Sequence, residues 1–119
     1  MSASLFDRLG GEPGISRIAN DLVDNHVKNP IIAARFAASD VARLKALAAA
    51  FVISGTGGPA IYQGKEMRAA HTGMNISDAE FMAVVDDTML ALDKNGVGQR
   101  EKEEILFILY SLRPDVVRI

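Results

Sequence analysis

Apolar residues in this 119-residue chain return every three or four positions, and no stretch sustains the two-residue alternation that a half-buried strand needs. The spacing therefore predicts an all-α fold. Ile15, Ile18, Ala19, Leu22, Val23 and Val27 place an amphipathic helix at about residues 12–28, opened by Glu12-Pro13 and ended by Pro30. Before it, Leu5, Phe6 and Leu9 make a short helical turn that Gly10-Gly11 closes by allowing backbone angles other residues avoid.

Residues 30–36 read as a short helical connector closing on Phe36, and Asp40 as the N-cap of a helix over 41–55. Val41, Leu44, Leu47, Ala48, Phe51 and Val52 form its apolar face, with Arg43 and Lys45 on its flanks. Gly55 and Gly57-Gly58-Pro59 stop it. A stretch at 64–72 is short for an independent helix and calls for tertiary or ligand contacts. Ser77-Asp78-Ala79-Glu80 has the capping-box pattern and opens a helix through Phe81, Val84, Val85, Thr88, Met89 and Leu92 to Gly96. A last helix runs over about 98–112, its inner face made by residues such as Ile105 and Leu109, with Pro114 beyond its end. Unequal helices joined by glycine-rich breaks suggest crossed packing more than a regular four-helix bundle.

A chain of this length is expected to form one domain over 1–119 with a single core. Hydrophobic residues at 49% against 24% charged argue for a globular protein, and a net charge of -2 without a basic stripe gives no footprint for nucleic acid. The longest apolar run, from Leu47 to Ser54, falls short of membrane-spanning length, and the N-terminus lacks the pattern of a signal peptide. The expected location is the cytoplasm, and the expected state is a monomer or weak dimer.

The chain contains no cysteine and only two histidines, His26 and His71, which removes thiolate ligation, iron–sulfur clusters and the usual structural zinc sites. A five-coordinate haem, by contrast, asks the protein for one neutral imidazole. His71 sits in a short amphipathic stretch after a double-glycine break, one turn beyond Met67, and is the candidate iron ligand.

Leu9-Gly10-Gly11, Asn29-Pro30, Phe36, Gly57-Gly58-Pro59, Tyr62, Gly64 and Met67 four residues before His71 occur in an order and spacing that resembles the truncated haemoglobins. The likeness is greatest to their group I branch and spans nearly the whole sequence. It implies a truncated globin-like two-on-two helical sandwich holding haem b, with His71 as proximal ligand and Phe36 packed on the haem face. It further implies that Arg43 and Tyr62 approach the propionates, that Val84 lines the proximal side, and that Leu109 closes the pocket, while Met67, one turn before His71, suits the irregular space against the porphyrin. The implied activity is reversible binding of a diatomic gas, of oxygen transport type, with a separate reductase as a possible partner.

Departures from the family pattern bear on the ligand. Where relatives usually carry a tyrosine that hydrogen-bonds bound oxygen, this chain has Val23, and the distal positions on the next helix are Leu44, Leu47 and Ala48. No polar side chain remains among them, so oxygen is expected to leave quickly while carbon monoxide, whose bound form is less polar, is little affected. His26, one turn after Val23, is expected on the polar side or rim, with a sixth iron ligand as the alternative. A haem enzyme (a nitric oxide dioxygenase or peroxidase) and a haem-based gas sensor acting on a partner stay open beside the gas-binding reading.

Overall fold

The computed structural model describes residues 3–119 and contains, among them, six α-helices, two 3-10 turns and no named strand. The helices are α1 (Leu5–Arg8), α2 (Gly11–Lys28), α3 (Val41–Gly55), α4 (Met67–His71), α5 (Asp78–Lys94) and α6 (Gln99–Leu112), with 3-10 turns at Ala33–Phe36 and Arg113–Asp115. The all-α, two-on-two expectation holds: α2 packs on α3, α5 on α6, and the two pairs meet where α2 crosses α5.

Local chemistry explains most of the boundaries. The Asp40 carboxylate accepts the Arg43 N–H at 3.2 Å at the start of α3. At the start of α5 the capping box is complete, with Ser77 Oγ accepting the Glu80 N–H and Glu80 Oε1 accepting the Ser77 N–H, each at 3.1 Å. The stretch expected to be helical over 64–72 is helical only at Met67–His71, because Glu66 and Thr72 hold extended ψ angles of 157° and 130° at its two ends.

The short α4 is held by tertiary contacts, as its length requires. Arg68 Nε donates to Asp115 at 3.1 Å and Arg68 Nη2 to the Pro114 carbonyl at 3.3 Å. Just beyond α4, Ile76 pairs in parallel with Val117, and the Arg118 N–H donates to the Ile76 carbonyl at 2.9 Å. The last residues thus pin the segment that follows His71.

The core joins α1, α2, α3, α5 and α6 through Leu5, Leu9, Ile15, Ile18, Ile53, Ala91, Leu92 and Ile105. Its tightest point is the α1–α2 junction. Gly10 turns the chain with φ 95°, and a Cβ on Gly14 would lie 2.2 Å from the Leu9 carbonyl oxygen. Gly14 was not distinguished by sequence pattern, since a single glycine near a helix start reads as neutral. Among the described residues no helix is long and apolar enough to cross a membrane.

Gly14→Ala forces backbone against backbone, and the expected loss is about 1–3 kcal/mol, the range for overpacking. Urea denaturation of the two proteins measures it; equal midpoints would show that the junction opens without strain.

Candidate functional site

Between the two helix pairs lies a largely apolar cavity of about 360 Å³. One part of its wall comes from Leu22, Val23 and His26 of α2, Ile32, Arg35 and Phe36 of the connector, and Leu44, Leu47, Ala48 and Phe51 of α3. The remainder comes from Tyr62, Met67 and His71, from Glu80, Phe81 and Val84 of α5, and from Leu109 and Leu112 of α6 with nearby loop residues. Thus Phe36, Leu44, Leu47, Ala48, Tyr62, Met67, His71, Val84 and Leu109 converge on one space, although they span 74 positions from Phe36 to Leu109 counted inclusively.

His71 is half-buried, and its Nδ1 lies 2.7 Å from the Met67 carbonyl oxygen. A carbonyl only accepts, so Nδ1 carries the proton and Nε2 of the neutral ring keeps its lone pair. A bond of this kind orients metal-binding imidazoles and fixes their tautomer. Met67 therefore has two roles, as an apolar lining side chain and as the acceptor that orients His71.

Tyr62 packs edge-on to Phe51, with ring centroids 5.2 Å apart, and its hydroxyl donates to the Lys65 carbonyl at 2.7 Å. The Ser54 hydroxyl accepts the Tyr62 N–H at 3.0 Å and so ties this loop to α3. Arg43 is not brought to the cavity wall: it is exposed at the start of α3, where its N–H serves the Asp40 cap.

The arginine on the wall is Arg35, which sequence reasoning passed over. Its guanidinium grips Glu80 through two nitrogens, with the Nη2–Oε1 contact at 3.0 Å. Glu80 was legible as the cap of α5, but its pairing across 45 positions has no local signature. This hydrogen bond from Arg35 leads the causes that hold the Glu80 carboxyl down from 4.5 to about 2, with the Ser77 backbone N–H adding to it.

His26 departs from expectation more sharply. It is buried and lines the cavity, where a place on the polar side or rim was expected. Its ring stacks on Phe36 with centroids 5.7 Å apart and planes 9° apart, and its Nδ1 lies 2.8 Å from Asp87 Oδ2. Asn29 Nδ2 donates to both Asp87 oxygens, at 3.1 and 3.2 Å, and Asn25 Nδ2 to the Asp87 carbonyl at 3.0 Å. The physical reason for the burial is that the only buried carboxylate of α5 supplies the partner that an inward-facing imidazole requires. A signal existed: position 26 continues the buried stripe of Ile15, Ile18, Ala19 and Val23 at helical spacing.

A depressed carboxyl pKa contributes stability that is present above the ordinary value and disappears as pH falls through the folded value. For Glu80 that loss is expected as pH drops from 4.5 towards about 2. Arg35→Gln should flatten the corresponding part of a stability–pH curve taken by thermal unfolding. An unchanged slope in that window would mean that the pair contributes nothing to folding.

Comparison with known proteins places this architecture. A family model described as bacterial-like globin matches residues 4–118. A group 1 truncated hemoglobin of Nostoc sp. (strain MUN 8820) is 27% identical over 104 residues, covering 87% of this chain and 88% of that protein. The crystal structure of the truncated hemoglobin from Tetrahymena pyriformis in its Fe(III) form superposes with a TM-score of 0.93 at 23% identity, covering 98% of this chain and all of that one. The 2/2 hemoglobin from Synechococcus sp. PCC 7002, solved in the cyanomet state with covalently attached heme, gives a TM-score of 0.90 at 26% identity, covering 97% and 98% of the two chains.

Proposed function

Because the chain belongs to the bacterial-like globin family, we propose that its cavity holds haem b through His71 and reversibly binds a diatomic gas. The observation that carries this reading is the Met67 carbonyl on His71 Nδ1, which leaves the Nε2 lone pair available beside an apolar space. The residues present fit the group. Phe36, Met67, Val84 and Leu109 offer apolar contact to a porphyrin, and His71 stands on the same cavity wall. Tyr62 and the exposed Arg43 are assigned the porphyrin carboxylates at the rim, where an arginine is well matched to a carboxylate. Bound there, haem would supply the iron to which a gas attaches.

The side chains opposite that role select the gas. Val23, Leu44, Leu47 and Ala48 line the cavity without a hydrogen-bond donor. A donor beside polarised oxygen is worth about 1.5–3 kcal/mol, so its absence raises oxygen dissociation about 10- to 100-fold. Carbon monoxide loses little. The protein is thus a weak, fast oxygen binder with relative preference for less polar diatomics, and a separate reductase would keep the iron ferrous.

Absorption spectra of the haem-loaded protein, taken ferric, dithionite-reduced and under carbon monoxide, test the reading. A sharp Soret band with five-coordinate ferrous features is expected, and His71→Ala should abolish it. Haem binding that ignores the substitution would remove His71 from the iron. The carbon monoxide to oxygen affinity ratio should exceed that of tyrosine-bearing relatives, and a ratio at or below theirs would contradict the apolar-pocket argument.

A further inference from the structure

A pair of aromatic rings connects the cavity wall to the outer surface of α5 and α6. Phe81 is buried and lines the cavity. Tyr110 packs edge-on to it, with ring centroids 5.8 Å apart and planes at 64°, and is itself 43% exposed. The Tyr110 hydroxyl lies 3.1 Å from the Met82 sulfur, and Met82 is exposed too. Phe107, three residues before Tyr110 and so beside it on α6, is 76% exposed, more than any other large hydrophobic residue described. Met82, Phe107 and Tyr110 therefore form an apolar surface patch backed by a ring of the cavity wall.

The border of this patch carries charge. Arg113 and Arg118 both pair with one carboxylate, that of Asp78. Asp78 lies one turn before Met82 on α5, and Arg113 lies three residues after Tyr110, so the ion cluster adjoins the patch. Two guanidinium groups against one carboxylate leave this border cationic. Asp86, one turn beyond Met82, is exposed on the other side, which makes the face polarised instead of uniformly basic.

We propose that this face of α5 and α6 docks a one-electron carrier protein with an acidic rim, which reduces the haem iron. Carboxylates of the carrier meet Arg113 and Arg118, and its apolar surface meets Met82, Phe107 and Tyr110. Tyr110 and Phe81 then give the electron a path of packed atoms from the surface to the cavity. One electron leaves the reduced iron–sulfur or flavin centre of the carrier, which is oxidised, and ferric iron takes it to become ferrous. No bond forms or breaks, and no proton moves. A small apolar centre with a charged border suits a transient redox encounter, which buries less than about 1,200 Å² and is steered by charge.

The inference rests on the haem reading and adds the place where the reductant binds. The probe is a plant-type [2Fe–2S] ferredoxin, an acidic one-electron carrier. Amide NMR shifts of the full chain, with and without haem, should move around Met82, Phe107, Tyr110 and Arg113 when oxidised ferredoxin is added. Stopped-flow reduction of the ferric protein by reduced ferredoxin should slow about 10-fold at low salt when Arg113→Glu and Arg118→Glu are combined, the low end of electrostatic steering. Asp78→Asn should speed it, and all three proteins should converge at 1 M salt, where charges are screened within about 3 Å. The opposite signs matter, because damage to packing would slow both variants. Tyr110→Leu should slow reduction at saturating ferredoxin and leave reduction by dithionite unchanged. Shifts centred on Arg43 and Tyr62, an absence of binding, or rates indifferent to both charge changes overturn the proposal. So does sedimentation showing that the chain pairs with itself and loses that pairing in Phe107→Ser, which would assign the face to a second copy. A chain without the His71-dependent Soret band would instead fail the haem reading, and the ferredoxin shifts would still report on the face.

Discussion

The Asp87 carboxylate is the constraint on which the cavity depends. It is buried on α5 and is satisfied only by side chains of the α2 end and the residue that follows it: His26 on Nδ1 and Asn29 on both oxygens, with Asn25 on the adjacent carbonyl. A buried charge without such partners would cost several kcal/mol, so these bonds fix the rotation and register of α2 against α5. Because α2 also carries Leu22 and Val23 and packs on α3, that register decides where one whole wall of the cavity stands. Polar chemistry at the crossing therefore shapes an apolar space.

A second polar clamp ties the connector to α5. Glu80 caps α5 through Ser77 and at the same time holds Arg35, so the connector that carries Phe36 is tied to the first turn of α5. The C-terminal residues complete the frame by pinning the segment after α4 through Ile76 and Val117. His71 stands on a five-residue helix that could not persist alone. Its placement derives from contacts made by residues 40 or more positions away, such as Asp115 with Arg68.

What was legible in the sequence follows from the range of the forces involved. Helix positions, the Asp40 and Ser77 caps and the Gly10-Gly11 turn depend on neighbours within four residues, and each stands where the pattern placed it. His71 was legible because few residues in the chain could hold a metal and because its spacing from Met67 is local. Arg35 with Glu80 and His26 with Asp87 were not legible as pairs, since they join positions 45 and 61 apart. Even so, each partner left half a signal. His26 falls in register with Val23, and Asp87 falls between the buried Ala83 and Ala91 at four-residue spacing, a poor place for a carboxylate unless something answers it. Arg43 was legible as a flank residue of α3, and it is exposed there, outside the cavity wall.

The two imidazoles of the cavity differ in what stands behind them, and this sets their chemistry apart. Both hold Nδ1 within hydrogen-bond distance of an acceptor, but His71 is backed by a neutral backbone carbonyl and His26 by a carboxylate. A carbonyl fixes a tautomer and a direction, which is what a ligand to iron needs, and gives little reward for a second proton. A carboxylate fixes the tautomer equally well and also balances the charge when the ring becomes an imidazolium. With only two histidines in the chain, the fold backs one with a backbone carbonyl and the other with a buried carboxylate. The apolar side chains of Val23, Leu44 and Leu47 on the same cavity wall offer neither ring a competing polar partner.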